Sequence, residues 1–87
     1  MFNYKVTMET INLRTITESN DVNALKELID SYIDATKLVD FAEGEFFEIN
    51  LVDNNTGEVY FYYIVEGALY DVITRTYKSD FYREYFC

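Results

Sequence analysis

The sequence predicts an α+β domain: one amphipathic helix packed on an antiparallel sheet of about four strands, with room for a short helix at the C-terminus. Three observations carry that prediction. Apolar residues recur at helical spacing in one long segment, near residues 20 to 35. Period-two alternation fills stretches on both sides of it. Polar turns then separate the later strands by so few residues that hairpins must join them.

Taken in order, Phe2, Tyr4, Val6 and Met8 alternate with Asn3, Lys5 and Thr7, the period of a half-buried strand. Ile11 and Leu13 continue the alternation with its parity switched. A bulge or a turn near Glu9-Thr10 explains the switch, so one long bulged strand and two short strands both fit. Thr17-Glu18-Ser19-Asn20-Asp21 is a cluster of helix-capping residues. Beyond it Val22, Leu25, Leu28, Ile29, Tyr32 and Ile33 form one apolar stripe, with Lys26, Glu27, Asp30 and Asp34 on the other side. Asp21 suits the positive end of that helix dipole.

Phe47, Ile49 and Leu51 next alternate with Glu48 and Asn50, and Asp53 to Glu58 reads as a polar turn containing Gly57. Val59, Phe61, Tyr63 and Val65 alternate with Tyr60, Tyr62 and Ile64, which completes a hairpin. Glu66-Gly67 reads as a second turn. Leu69 to Tyr77, rich in Val, Ile, Thr and Tyr, supplies the third strand of a meander, although Leu69, Val72, Ile73 and Thr76 also fit helical spacing. Ser79-Asp80 can cap a terminal helix holding Phe81, Tyr82, Tyr85 and Phe86.

The 87 residues fit one domain, 1–87, and no more. A chain this short is marginal unless its core is rich in large side chains. Seven Phe and nine Tyr supply that richness. There is no proline, no Gly- or Ser-rich linker and no internal repeat. The single cysteine, Cys87, is the last residue; it cannot form an internal disulfide and is not a prenylation box. Met1 to Thr10 has no apolar run, so no secretory signal is expected and the bacterial cytoplasm is the expected location. No stretch approaches a membrane span.

The residue types absent from the chain narrow the chemistry. There is no histidine, which removes the commonest general base and every Ser-His or Cys-His nucleophile pair. Zinc sites of His and Cys, Gly-rich phosphate loops and dinucleotide fingerprints are missing too. Asp53, Asn55 and Glu58 loosely suggest a calcium loop, but the glycine is fifth rather than sixth and no Glu closes the loop. The chain is therefore read as a non-enzyme without cofactor.

Charge is the strongest bulk signal: sixteen acids face seven bases, a net charge of −9. Such a chain is repelled by nucleic acid and anionic membranes and attracted to the basic proteins that bind them. From Leu38 to Thr74 there is no Lys or Arg, while Asp40, Glu43, Glu45, Glu48, Asp53, Glu58, Glu66 and Asp71 all fall there. On the hairpin, the parity that puts Phe47, Ile49, Leu51, Val59, Phe61 and Tyr63 toward the helix leaves Glu48, Asn50, Glu58, Tyr60, Tyr62 and Glu66 outward. Carboxylates accept paired bonds from Arg and Tyr rings stack on guanidinium planes. Carboxylates two apart on a strand stand about 6.6 Å apart, loosely compatible with a row of phosphates. The expected contact set is Glu48, Asp53, Glu58, Tyr60, Tyr62, Glu66, Tyr70 and Asp71. The same pattern also suits an ordinary solvated surface with Tyr packed along a sheet.

In its short length, its base-free acidic stretch Leu38 to Thr74 and its Tyr60-Phe61-Tyr62-Tyr63 cluster, the chain resembles small acidic phage-encoded inhibitors, anti-CRISPR proteins and other DNA mimics. The resemblance is one of class, with no alignable motif, so no functional residue carries over by position. Frequent Asn, Ile, Tyr and Phe with little Gly and Pro match the usage of AT-rich genomes. The resemblance implies inhibition of a nucleic-acid-processing enzyme, a CRISPR effector nuclease first among them, by occupation of its basic site. Two alternatives fit the same residues: a structural module that forms a homodimer or larger homo-oligomer, and an immunity protein or antitoxin that blocks a basic toxin.

Overall fold

The computed structural model describes residues 2–86, so Cys87 lies outside the described residues. The chain runs β1 (Tyr4–Thr10), β2 (Arg14–Ser19), α1 (Val22–Thr36), β3 (Phe46–Asp53), β4 (Val59–Gly67), β5 (Val72–Lys78) and α2 (Asp80–Phe86). All strands join one antiparallel sheet in the order β2-β1-β3-β4-β5. The α+β class holds, with five strands rather than about four. The extra strand is β2, which starts beyond the expected alternation and takes in Thr17, Glu18 and Ser19 of the expected capping cluster, leaving Asp21 as the cap. A tight turn closed by the Thr10 N–H on the Leu13 carbonyl (2.8 Å) accounts for the switched parity.

Asp21 caps α1: its Oδ1 accepts the Asn23 and Ala24 N–H groups at 3.0 and 3.3 Å. The helix ends as the Lys37, Leu38 and Val39 N–H groups turn back to the carbonyls of Asp34, Ala35 and Thr36. Leu25 and Ile29 of its stripe are fully buried, with Val22, Leu28, Tyr32 and Ile33 packed around them. They meet Val6 of β1, Ile49 and Leu51 of β3 and Phe61 of β4. The register places Val6 opposite Leu51 and Leu51 opposite Phe61, so these side chains share one face of the sheet.

The Ser79 Oγ caps α2 by accepting the Tyr82 N–H at 3.2 Å. Tyr82 stacks on Phe61 with ring centroids 4.6 Å apart, and Phe86 stacks on Tyr82 at 5.0 Å. Both helices thus cover the same face of the sheet.

Two segments differ from the sequence expectation. The strand β4 runs through Glu66-Gly67, and the turn lies beyond it, where the Ala68 N–H meets the Asp71 carbonyl at 2.8 Å. Gly67 is required there because the loop from Ala42 to Glu45 docks on it: a Cβ would collide with the Ala42 carbonyl. At the other end of the hairpin, Leu51 pairs with Phe61 but Val52 pairs with Val59, leaving Tyr60 as an extra residue in β4.

Phe61 and Ile16 separate the covered face from the uncovered one. Phe61→Ala should cost about 3–5 kcal/mol in urea unfolding. Ile16→Ala, on the side without helices, should stay within about 0.5 kcal/mol.

Candidate functional site

The face of the sheet turned away from the helices is uncovered. Cross-strand register assembles it in rows: Glu18, Lys5, Val52 and Val59; then Ile16, Thr7, Asn50, Tyr62 and Tyr77; then Arg14, Glu9, Glu48, Ile64 and Arg75; then Phe46, Glu66 and Ile73. Antiparallel sheets with one solvated face ordinarily alternate apolar-in and polar-out. Here the open face carries eight apolar or aromatic side chains: Ile16, Phe46, Val52, Val59, Tyr62, Ile64, Ile73 and Tyr77. Ile16 is 54% and Tyr77 52% exposed. An apolar field of this kind on a small domain makes this face the candidate interaction surface.

Its charges largely answer one another. Lys5 stands opposite Glu18 and Arg14 opposite Glu9. The Arg75 guanidinium lies 3.6 Å from the Glu66 carboxylate, both in contact with solvent. At the centre, Tyr62 and Glu48 are diagonal neighbours across β3 and β4, Tyr62 opposite Asn50 and Glu48 opposite Ile64. Burial first, and then the negative charge of Glu48, pushes the Tyr62 hydroxyl above the ordinary tyrosine value. Four acids and three bases occupy this face, so most of the chain's negative surplus lies elsewhere. It lies along the exposed side of α1 at Glu27, Asp30 and Asp34, and in the loop at Asp40, Glu43 and Glu45.

Of the expected contact residues, the fold brings Glu48, Tyr62 and Glu66 together. Asp71 and Tyr70 lie in the β4–β5 turn at the Glu66 end, with Tyr70 93% exposed. Glu58 is exposed in the β3–β4 turn at the opposite end of the strands. These positions do not form a single row of carboxylates.

Tyr60 corrects the expected parity. The hairpin alternation predicts an outward ring, yet it is buried at 8% exposure. The extra residue in β4 turns its ring to the helix side, where it stacks on Phe81 of α2 with centroids 4.3 Å apart. Val59, expected inward, is exposed for the same reason.

Asp53 is engaged in holding this corner. Its Oδ2 accepts the Tyr60 hydroxyl at 2.7 Å, and its Oδ1 accepts the Asn55 and Thr56 N–H groups at 2.7 and 3.2 Å. The hydrogen bond from Tyr60, followed by that from Asn55, holds the Asp53 carboxyl below its ordinary value. That hydrogen bond, with burial next, pushes the Tyr60 hydroxyl up to about 12. The arrangement is a turn with Gly57 at φ +75°, as expected once the calcium pattern fails.

Sequence reasoning missed Ile16, Phe46, Ile64, Ile73, Arg75 and Tyr77 as members of the open face. Their common signal is apolar or basic character at the outward parity of each strand, which becomes visible only when the strand order is known. Among the described residues no group of three or more His, Cys, Asp and Glu side chains could hold a metal. No helix among the described residues is long and apolar enough to cross a membrane. Comparison with family models, curated proteins and solved structures gives no match.

The Asp53–Tyr60 bond makes stability depend on pH at both extremes. Tyr60 is raised to about 12 from 10.0, so its contribution is complete below the unfolded value and is lost as pH rises from 10 to about 12. Asp53 is depressed below 3.8, so its contribution is complete above that value and is lost as pH falls through the depressed one. Tyr60→Phe keeps the ring and removes the bond. The stability gap between wild type and variant, followed by urea denaturation, should be widest near neutral pH and close at both extremes. A gap independent of pH would contradict the pairing.

Proposed function

We propose that the protein acts by binding rather than by catalysis, and that it seats a basic protein surface on the open face of its sheet. The observation that carries this reading is the uncovered five-stranded face, with apolar side chains around a Glu48-Tyr62-Glu66 centre, on a domain of net charge −9. The two features serve different steps. Negative charge on α1 and its following loop draws a basic partner in and favours rapid encounter. Apolar and aromatic side chains on the sheet supply area that loses water on contact, and Tyr is among the residues that anchor such contacts. Glu48 and Glu66 beside the Tyr62 ring can accept and stack an incoming guanidinium.

The partner class that fits is a nucleic-acid-processing enzyme with a basic groove, such as a CRISPR effector nuclease, inhibited by occupation of that groove. Net charge and the resemblance in class to phage-encoded inhibitors support this finer reading. In this reading contact rests on a mixed apolar and acidic face, with acidic α1 on the opposite side of the sheet, rather than on a continuous row of phosphate-like carboxylates.

Tagged protein presented to purified bacterial nucleic-acid enzymes, CRISPR effectors included, should retain one of them at low salt and release it at high salt. The enzyme's own DNA or RNA should compete. Tyr62→Ala combined with Ile16→Asp should weaken retention at least about tenfold with folding intact. Retention that ignores the open-face variant, or no retention of any basic enzyme, would overturn the proposal.

A further inference from the structure

The strand β5 lies at one edge of the sheet, and all seven of its residues are exposed. The α2 helix meets it at Lys78, whose Nζ lies 5.6 Å from the Tyr82 ring centroid, yet each residue of the strand stays exposed. Its register against β4 is unbroken from Phe61↔Lys78 to Gly67↔Val72, so no bulge twists the edge away. The chain has no proline to blunt it. An edge of this kind offers a row of backbone N–H and C=O groups to another strand.

We propose that β5 pairs antiparallel with β5 of a second copy, about a two-fold axis through Ile73, joining two five-stranded sheets into one continuous sheet. The proposal concerns an edge rather than the open face, and so does not depend on the proposed partner.

The sequence of the edge is complementary to itself. A two-fold axis normal to the sheet keeps each face on its own side, so residues of like parity oppose one another. With the axis at Ile73, Val72 of each copy opposes Thr74 of the other, and Asp71, the bend residue before β5 whose Oδ1 accepts the Val72 N–H at 2.7 Å, comes opposite Arg75. Opposite charges directly across a pair of strands stabilise it, and like charges destabilise it. An axis at Arg75 would oppose two guanidinium groups, and one at Thr74 would leave Asp71 against Tyr77.

Location favours the same edge. Residues 72–78 contain two bases and no acid, so they form the stretch where a chain of net charge −9 repels its own copy least. Val72, Ile73 and Tyr77 also lie exposed there and would lose water on pairing.

The other edge, β2, has a similar spacing in Arg14, Ile16 and Glu18. Its Glu18 carboxylate already accepts the Asn54 Nδ2 at 3.0 Å, and α1 lies over it, with the hydroxyls of Thr15 and Tyr32 3.4 Å apart. It serves as the control.

Sedimentation velocity over a concentration series tests the pairing. Wild type should form a concentration-dependent dimer. Arg75→Asp should weaken it about tenfold or more, by placing acid against acid. The double variant Asp71→Arg/Arg75→Asp should restore it, which loss of the Glu66–Arg75 contact alone cannot explain. Arg14→Asp and Tyr62→Ala should leave the dimer unchanged. In a Cys87→Ser background, Ile73→Cys should form an interchain disulfide on oxidation. Cα atoms opposed across antiparallel strands stand about 4.5–5.5 Å apart, within disulfide reach. A monomer at every concentration would overturn the proposal, as would a dimer broken by Arg14→Asp or one that the double swap fails to restore. Protection of the β5 amides only when a captured enzyme is bound would put a foreign strand on this edge, and would overturn self-pairing as well.

Discussion

Two helices of fifteen and seven residues have to cover a sheet of five strands, and they reach only one face of it. The remaining features follow from that shortfall. The core gathers where α1 and α2 meet the inner strands: Leu25 and Ile29 against Val6, Ile49 and Leu51, and Tyr82 and Phe86 against Phe61. Small domains bury too little surface to be stable without large side chains, and here stacked aromatic rings supply the area. The helices leave exposed the opposite face and the edge strand β5, which α2 meets only at its Lys78 end. Both carry apolar residues that a purely structural sheet would replace with polar ones.

The corner at Tyr60 lets so short a second helix hold its place. One extra residue in β4 turns the Tyr60 ring inward beneath Phe81, while its carbonyl accepts the Ser79 N–H at 2.8 Å. Its hydroxyl reaches Asp53, which also shapes the β3–β4 turn through the Asn55 and Thr56 N–H groups. A single irregularity thus joins the hairpin turn, the start of α2 and the aromatic core. The Asp53 carboxylate and the Tyr60 ring, read from sequence as surface features, are parts of the frame.

The legible parts of the fold were those written as period or cap. The α1 stripe, the hairpin alternation and the Ser79 cap each specify an element through nearest neighbours along the chain. The β2 strand was harder, because Arg14-Thr-Ile-Thr-Glu-Ser lacks apolar alternation: its helix-side residues Thr15, Thr17 and Ser19 are all polar. The side of Tyr60 could not be read, because a bulge inverts parity without leaving a mark in composition. The site was legible only at Glu48, Tyr62 and Glu66, which share a hairpin. Ile16, Arg75 and Tyr77 join them through strand order, which no local pattern encodes. The base-free stretch from Leu38 to Thr74 is contiguous in sequence but disperses in space: its acids divide among the open face, the two hairpin ends and the loop after α1.

The division between a covered and an uncovered face underlies the proposed binding surface, and it can be measured without knowing any partner. A soluble paramagnetic agent broadens the methyl resonances that it can approach. In dilute protein it should strongly broaden Ile16, which is 54% exposed on the open face, and spare Ile29 and Ile49, both at 0%. Equal protection of Ile16 and the two core isoleucines would mean that something already covers the open face, and would contradict the account.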